Sequence, residues 1–317
     1  MKRKFGNRKR LLFLAAGVGL GVLAVCMARR PAINAYPVTR VSVILPHNDD
    51  GYWSLIREGI EEGDMEWGGR YNIDIKFFVP QLNYNIPQMT EALRQQVAAK
   101  VDVVVVQGNE DPEFQAVLEE AREEGTEIIC MDTPFRDFPY DLYVGTDNRA
   151  AGQLIGQELA ALTEGRADVA VILGAEGYLN LEERLEGFEE ALEPYPDIRI
   201  QSVCYDQYDG LTFMQLYHSQ SREANMLVCL EGTGGLALSH TYTERDDEYQ
   251  VIVGFDSYEG VESGVLDGIV KQDTRQMGRR IVEEIAGFVE TGRYSARDIY
   301  TDIIWLTSEN YDEVMNE

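Results

Sequence analysis

Short runs of β-branched and aliphatic residues recur down this chain, each followed by a stretch with helical spacing. They fall at residues 41–45, 73–79, 101–106, 128–131, 142–144, 169–173, 198–203, 226–230, 251–253 and 303–306. Short runs of this kind, each bounded by polar or turn residues, predict strands. Between them, residues such as Ile86, Met89, Leu93 and Val97 place their side chains on one helical face. Strand and helix in regular succession predict parallel sheets joined by right-handed crossovers. At 317 residues with 44% apolar content, the chain is too long for one ordinary core and apolar enough to fill two. No Pro/Gly/Ser-rich linker separates the halves, and no low-complexity tract or internal repeat stands out.

The charge is unevenly placed. Residues 1–30 hold eight of the 28 basic residues and no acidic one, which leaves 20 basic against 55 acidic residues in the rest. So acidic a body repels nucleic-acid phosphate, which excludes a nucleic-acid partner. Basic residues from Lys2 to Arg10 precede an uncharged, mostly apolar run over residues 11–27, closed by Arg29 and Arg30. This predicts a membrane-directed segment over residues 1–30, with the acidic body outside the cytoplasm. Three fates stay open: an uncleaved anchor, which Arg29 and Arg30 favour; a lipoprotein at Cys26, preceded by an imperfect lipobox; or signal cleavage and release.

Chemistry-bearing motifs are few. Cys130 and Cys229 end apolar runs and read as buried strand residues, and no C-x-x-C pair is present for zinc or redox work. His47, His218 and His240 sit in no recognisable pattern. There is no G-x-S-x-G, H-E-x-x-H or G-x-x-x-x-G-K. The expectation is a protein without catalytic residues, metal or cofactor. A glycosidase using two carboxylates is the remote alternative.

Seven segments appear in a fixed order: VSVILPHNDDGYWSLIREG, VVVVQGNED, IICMDTP, VGTDNRAAG, ERLEGF, VIVGFDS and IVKQDTRQMG. In that order they resemble the type 1 periplasmic binding proteins of the ribose-binding kind, whose fold is shared with the ligand-binding core of the lactose repressor family. The resemblance runs from about Val41 to the C-terminus. It implies an α/β fold class, with two doubly wound parallel-sheet domains joined by a multi-strand hinge after the N-terminal membrane segment. It also places the chain crossings near Thr146, Gln272 and Asp302, giving one lobe from residues 38–146 plus 273–301 and another from residues 147–272 plus 302–317.

The resemblance further implies a ligand site. Tyr52 and Trp53 take the place of family aromatics that stack on a sugar ring, and Asp50 stands in the polar loop before them. Gln107 closes the third run. Asp132 matches an aspartate that accepts from two sugar hydroxyls, and Arg184 in ERLEGF matches a family arginine. Asp256 and Gln272 match further ligand positions, and Glu231 stands where the family has asparagine. Asp147 matches a hinge-proximal aspartate, although a helix N-cap explains it equally well. Several departures add negative charge or remove positive or neutral groups: Asp49-Asp50, Thr133 and Glu231-Gly232. A neutral sugar is therefore the first ligand class and an amine-bearing ligand the second. Two membrane partners compete: the permease of an ABC importer and a sensor histidine kinase.

Overall fold

The structure, a computed structural model, describes residues 35–47, 51–243 and 248–315. The expected membrane segment and Asp50 lie outside the described residues. Among the described residues no helix is long and apolar enough to cross a membrane.

The strands assemble two sheets of six. The first contains β1 (Thr39–Ile44), β2 (Ile73–Phe78), β3 (Val103–Val106), β4 (Glu127–Asp132), β5 (Leu142–Gly145) and β11 (Asp298–Tyr300), in the order β11-β5-β4-β3-β1-β2. The second contains β6 (Ala167–Leu173), β7 (Ile198–Tyr205), β8 (Met226–Cys229), β9 (Val251–Phe255), β10 (Gly268–Gln272) and β12 (Ile303–Leu306), in the order β12-β10-β9-β8-β6-β7. The pairings are parallel except that of β10 with β12, which is antiparallel. The chain thus passes between sheets three times: after β5, after β10, and between β11 and β12. Two elements escaped the sequence reading of runs. β11 is three residues long with a charged first position, and β10 has only two aliphatic residues between its glycine and Lys271.

Helices cover both faces of each sheet. In the first lobe they are α1 (Gly51–Gly63), α2 (Ile86–Ala98), α3 (Pro112–Glu123) and, after the second crossing, α9 (Thr274–Thr291). The second lobe has α4 (Asn148–Leu162), α5 (Leu179–Leu192), α6 (Gly210–Gln220), α7 (Gly232–Thr241) and α8 (Tyr258–Glu262), with α10 (Tyr311–Met315) at the end of the chain. Burial on both faces explains why β3 reads as four consecutive valines, all shut from solvent. The thiols of Cys130 and Cys229 are packed into the two cores as the sequence reading expected, and burial pushes both up from their ordinary range.

The two lobes repeat one plan, which corrects the reading that no internal repeat stands out. Asp147-Asn148-Arg149-Ala150-Ala151-Gly152 opens α4, and Asp273-Thr274-Arg275-Gln276-Met277-Gly278 opens α9. Each aspartate caps its helix, Asp147 accepting from the Ala150 amide and Asp273 from the Gln276 amide, both at 2.9 Å. Each arginine then reaches two glutamates on the neighbouring helix: Arg149 holds Glu186 and Glu190, and Arg275 holds Glu58 and Glu62. Glycines let these helices touch backbone to backbone. A Cβ on Gly152 would stand 2.0 Å from the Arg184 carbonyl oxygen, and one on Gly278 would stand 2.0 Å from that of Ile56.

Candidate functional site

In open parallel sheets the ligand edge lies beyond the carboxyl ends of the strands. Here the ends of both sheets face one cavity of about 300 Å³. That volume is at the lower end of the range for small-molecule sites, about 300–1,000 Å³. The first lobe contributes Tyr52, Trp53, Tyr84, Gln107 and Asp132 to its lining; the second contributes Arg184, Tyr208, Glu231, Asp256 and Gln272 among others. A larger depression of about 520 Å³ lies against Leu173, Gly177, Glu182 and Tyr205. It borders one lobe alone, whereas the smaller cavity lies between the strand ends of both, so the smaller cavity is the candidate site.

Asp132 ends β4, and Asp256 follows β9, the equivalent strand of the second sheet. Both have left-handed backbones, with φ of 64° and 48°. Aspartate tolerates that region better than most side chains, and the two departures fall at equivalent cavity positions in the two lobes. Asp132 Oδ1 accepts from the Tyr52 hydroxyl at 2.5 Å. Asp132 Oδ2 accepts from Gln107 Nε2 at 2.8 Å and from the Thr133 hydroxyl at 2.6 Å. Burial, reinforced by the charges of Asp132 and Asp256, raises the Tyr52 phenol well above its ordinary range, so Tyr52 remains a donor. Asp256 Oδ1 accepts from the Gln272 amide at 2.9 Å and Oδ2 from Gln272 Nε2 at 2.5 Å. Burial also raises the Asp256 carboxyl, against the opposing pull of the Gln272 hydrogen bonds and of Arg184 and Lys271.

Arg184 is buried in the wall, its guanidinium 4.4 Å above the Phe255 ring. Its Nε donates to Asn148 Oδ1 at 2.9 Å, Nη1 to the Leu230 carbonyl at 3.1 Å, and Nη2 to Gln272 Oε1 at 3.2 Å. One N–H on each terminal nitrogen is left to face the cavity. Gln272 Oε1 also accepts from the Thr146 hydroxyl at 2.6 Å, which ties the first two crossings together beside the site.

The structure therefore brings Tyr52, Trp53, Gln107, Asp132, Arg184, Glu231, Asp256 and Gln272 to one cavity. Asp147 does not line it; its carboxylate caps α4, the alternative already open from sequence. Asp50 is outside the described residues, although Gly51 beside it lines the cavity. His47 contacts Asn83 and the Tyr84 ring and does not line the cavity. Sequence reasoning missed the aromatic rim: Tyr84, Tyr178, Tyr208 and Tyr258. Tyr84 and Tyr208 immediately precede the helix caps Asn85 and Asp209, in equivalent loops after β2 and β7, with φ of 54° and 56°. Their rings stack across the cleft, centroids 5.9 Å apart at 10°. Tyr178 meets Tyr208 edge-on at 5.9 Å and 88°. An aromatic before a cap at a strand's carboxyl end was the available signal.

Two α/β lobes with twin sheets, three crossings and a cavity of mixed aromatic and polar lining between their strand ends define a protein that encloses a small ligand. The chain belongs to the periplasmic binding protein domain family, whose model matches residues 41–291. Membership makes it a binding protein rather than an enzyme. It is 20% identical over 264 residues to the D-ribose/D-allose-binding protein of Pseudomonas aeruginosa, a match covering 78% of this chain and 82% of that one. The fold is similar to GanP, a glucose-galactose binding protein from Geobacillus stearothermophilus, with TM-score 0.77 and 23% identity over 86% of this chain and 99% of that chain. It is also similar to a chain of the XylFII-LytSN complex, with TM-score 0.73 and 21% identity over 86% of this chain and 99% of that chain.

Proposed function

We propose that this protein captures a small polar ligand, with sugars as the first class, in the interlobe cavity and presents its closed form to a membrane partner outside the cytoplasm. The observation that carries the reading is that each lobe supplies half of the hydrogen-bonding wall. Asp132, Gln107 and Tyr52 come from one side, and Arg184, Asp256 and Gln272 from the other. A ligand contacting both halves binds the closed state better than the open one, and that difference in affinity is what shifts the population. The sugar-binding relatives and the family's extracytoplasmic setting support the reading, and the N-terminal basic and apolar segment supplies the tether. The permease of an ABC importer is the first partner. A sensor histidine kinase is the second.

The test is a thermal-shift panel of pentoses, hexoses, inositols and amino sugars on the full-length chain. A ligand at a hundredfold over its Kd adds about 2.7 kcal/mol. That raises Tm by about 5–10 °C at the usual sensitivity of about 2–4 °C per kcal/mol. The shift should vanish in Asp132→Ala. A transition that no member of the panel moves would refute the assignment.

A further inference from the structure

Glu231 enters the cavity at the start of α7, where its carboxylate accepts from the Thr233 amide at 2.7 Å and the Gly234 amide at 3.0 Å. Beside it, in the loop after β7, lies Asp206, fully shut from solvent. Asp206 Oδ1 accepts from the Tyr208 amide at 2.8 Å. Asp206 Oδ2 has no donor within reach, and the side chain it meets is the Glu231 carboxyl. Burial first, and then the neighbouring Glu231 charge, pushes the Asp206 carboxyl up to about 8, so near neutral pH the pair favours holding one proton. Asp209 on the same loop adds a further negative charge. Among the described residues no ion pair reaches Asp206 or Glu231. Arg184, the cation that lines the cavity, has three of its donors committed to Asn148, Leu230 and Gln272.

Tyr208 borders the same corner, close enough for the Glu231 charge to act on its phenol. Tyr178 and Tyr208 stand nearly perpendicular, and both line the cavity with Glu231. A neutral hydroxyl placed there leaves the acid pair holding its proton. An ammonium group satisfies the pair by donating to Glu231, and its charge is attracted by the neighbouring Tyr208 ring. Resting on the reading of this cavity as a sugar site, we propose that the ligand carries a basic amine. It is an amino sugar or similar polyhydroxylated amine whose ammonium group lies against Glu231, beside Tyr208. On binding, the proton held by the acid pair passes to solvent and the ammonium takes its place.

The experiment is calorimetric titration of the full-length chain at pH 6.5 with matched pairs: glucosamine and glucose, galactosamine and galactose, mannosamine and mannose, with ribose, xylose and arabinose alongside. The amine member of the best pair should bind at least tenfold tighter than its neutral partner. Its binding enthalpy should change with the ionisation heat of the buffer, reporting proton release. In Glu231→Gln the preference should fall to about onefold and the proton release to zero; Asp206→Asn should lose the proton release but keep the preference, because Glu231 is then ionised without an acid partner, and it reads the acid pair if the first variant fails to fold. Neutral sugars that bind as tightly as their amines, or pentoses that bind alone, would overturn the amine assignment and leave the sugar site standing. Silence from every compound would overturn both.

Discussion

Gly152→Ala tests whether the packing of α4 on α5 sets the ligand arginine. The added Cβ would lie 2.0 Å from the Arg184 carbonyl oxygen and 2.9 Å from the Phe188 amide nitrogen, where real Cβ contacts stay beyond 3.0 Å. The helices must therefore part by about 1 Å, because neither partner is a side chain that can turn away. Overpacking costs about 1–3 kcal/mol, and backbone against backbone belongs at the upper end. Alanine's helix propensity returns about 1 kcal/mol. The net loss of about 2 kcal/mol lowers Tm by about 4–8 °C. The same displacement carries Arg184 away from Asn148, Leu230 and Gln272, so affinity should fall at least about tenfold, or about 1.4 kcal/mol. Gly156→Ala is the control. It lies one turn further along the same helix pair, and its Cβ would meet Ala191 Cβ at 2.8 Å and the Phe188 carbonyl oxygen at 3.0 Å. It should keep affinity within about twofold. Differential scanning fluorimetry and calorimetric titration measure the two quantities. Wild-type affinity in Gly152→Ala, or an equal loss in Gly156→Ala, would refute the coupling of this packing to the site.

The stacked rings of Tyr84 and Tyr208 join the lobes, so a double-mutant cycle to alanine, read in ligand affinity, should show about 1 kcal/mol of coupling; strictly additive losses would show that the rings act separately. A second expectation concerns pH. Asp206 has its pKa pushed from an ordinary 3.8 up to about 8, so between those values the folded state binds more protons than the unfolded one. Its contribution to stability is therefore lost as pH rises through that window. Urea denaturation from about pH 5 to pH 8.5 should show a steeper decline in the wild type than in Asp206→Asn, and parallel profiles would contradict the buried acid pair.

Some of this architecture was visible in the sequence because a parallel sheet covered on both faces leaves no polar alternation, so β3 and β8 read as unbroken apolar runs. β11 left no such mark; three residues at a sheet edge carry too little apolar surface to register. The cleft residues divide along the same line. Asp132, Gln107 and Asp256 stand at the ends of recognisable central strands, where topology alone directs them to the ligand edge. Tyr84 and Tyr208 follow the edge strands β2 and β7, whose outer faces mix polar residues with apolar ones, and their importance comes from stacking across a gap that no local pattern encodes. Asp206 was hidden for a different reason. An aspartate two residues before a tyrosine looks like turn chemistry until the fold sets it against Glu231.

The repeat of Asp147-x-Arg149-x-x-Gly152 in Asp273-x-Arg275-x-x-Gly278 was present in the sequence but unremarkable there, since aspartate caps and helix glycines are common singly. Its meaning lies in three dimensions. In each lobe the arginine and glycine lock the helix that follows a crossing onto a neighbour, α4 onto α5 and α9 onto α1. Those helices begin beside the strand ends that line the cavity. α1 carries Tyr52 and Trp53 in its first turn, and α5 carries Arg184 in its second. Exposed arginine–glutamate pairs contribute little stability by themselves, about 0–1 kcal/mol each, so the close glycine contacts must supply most of the rigidity. On the proposed function each lobe would move as one piece, with the left-handed aspartates Asp132 and Asp256 lining the cavity from opposite sides. A rigid half-site on each lobe is what lets ligand contacts drive closure, because flexible walls could satisfy the ligand without bringing the lobes together.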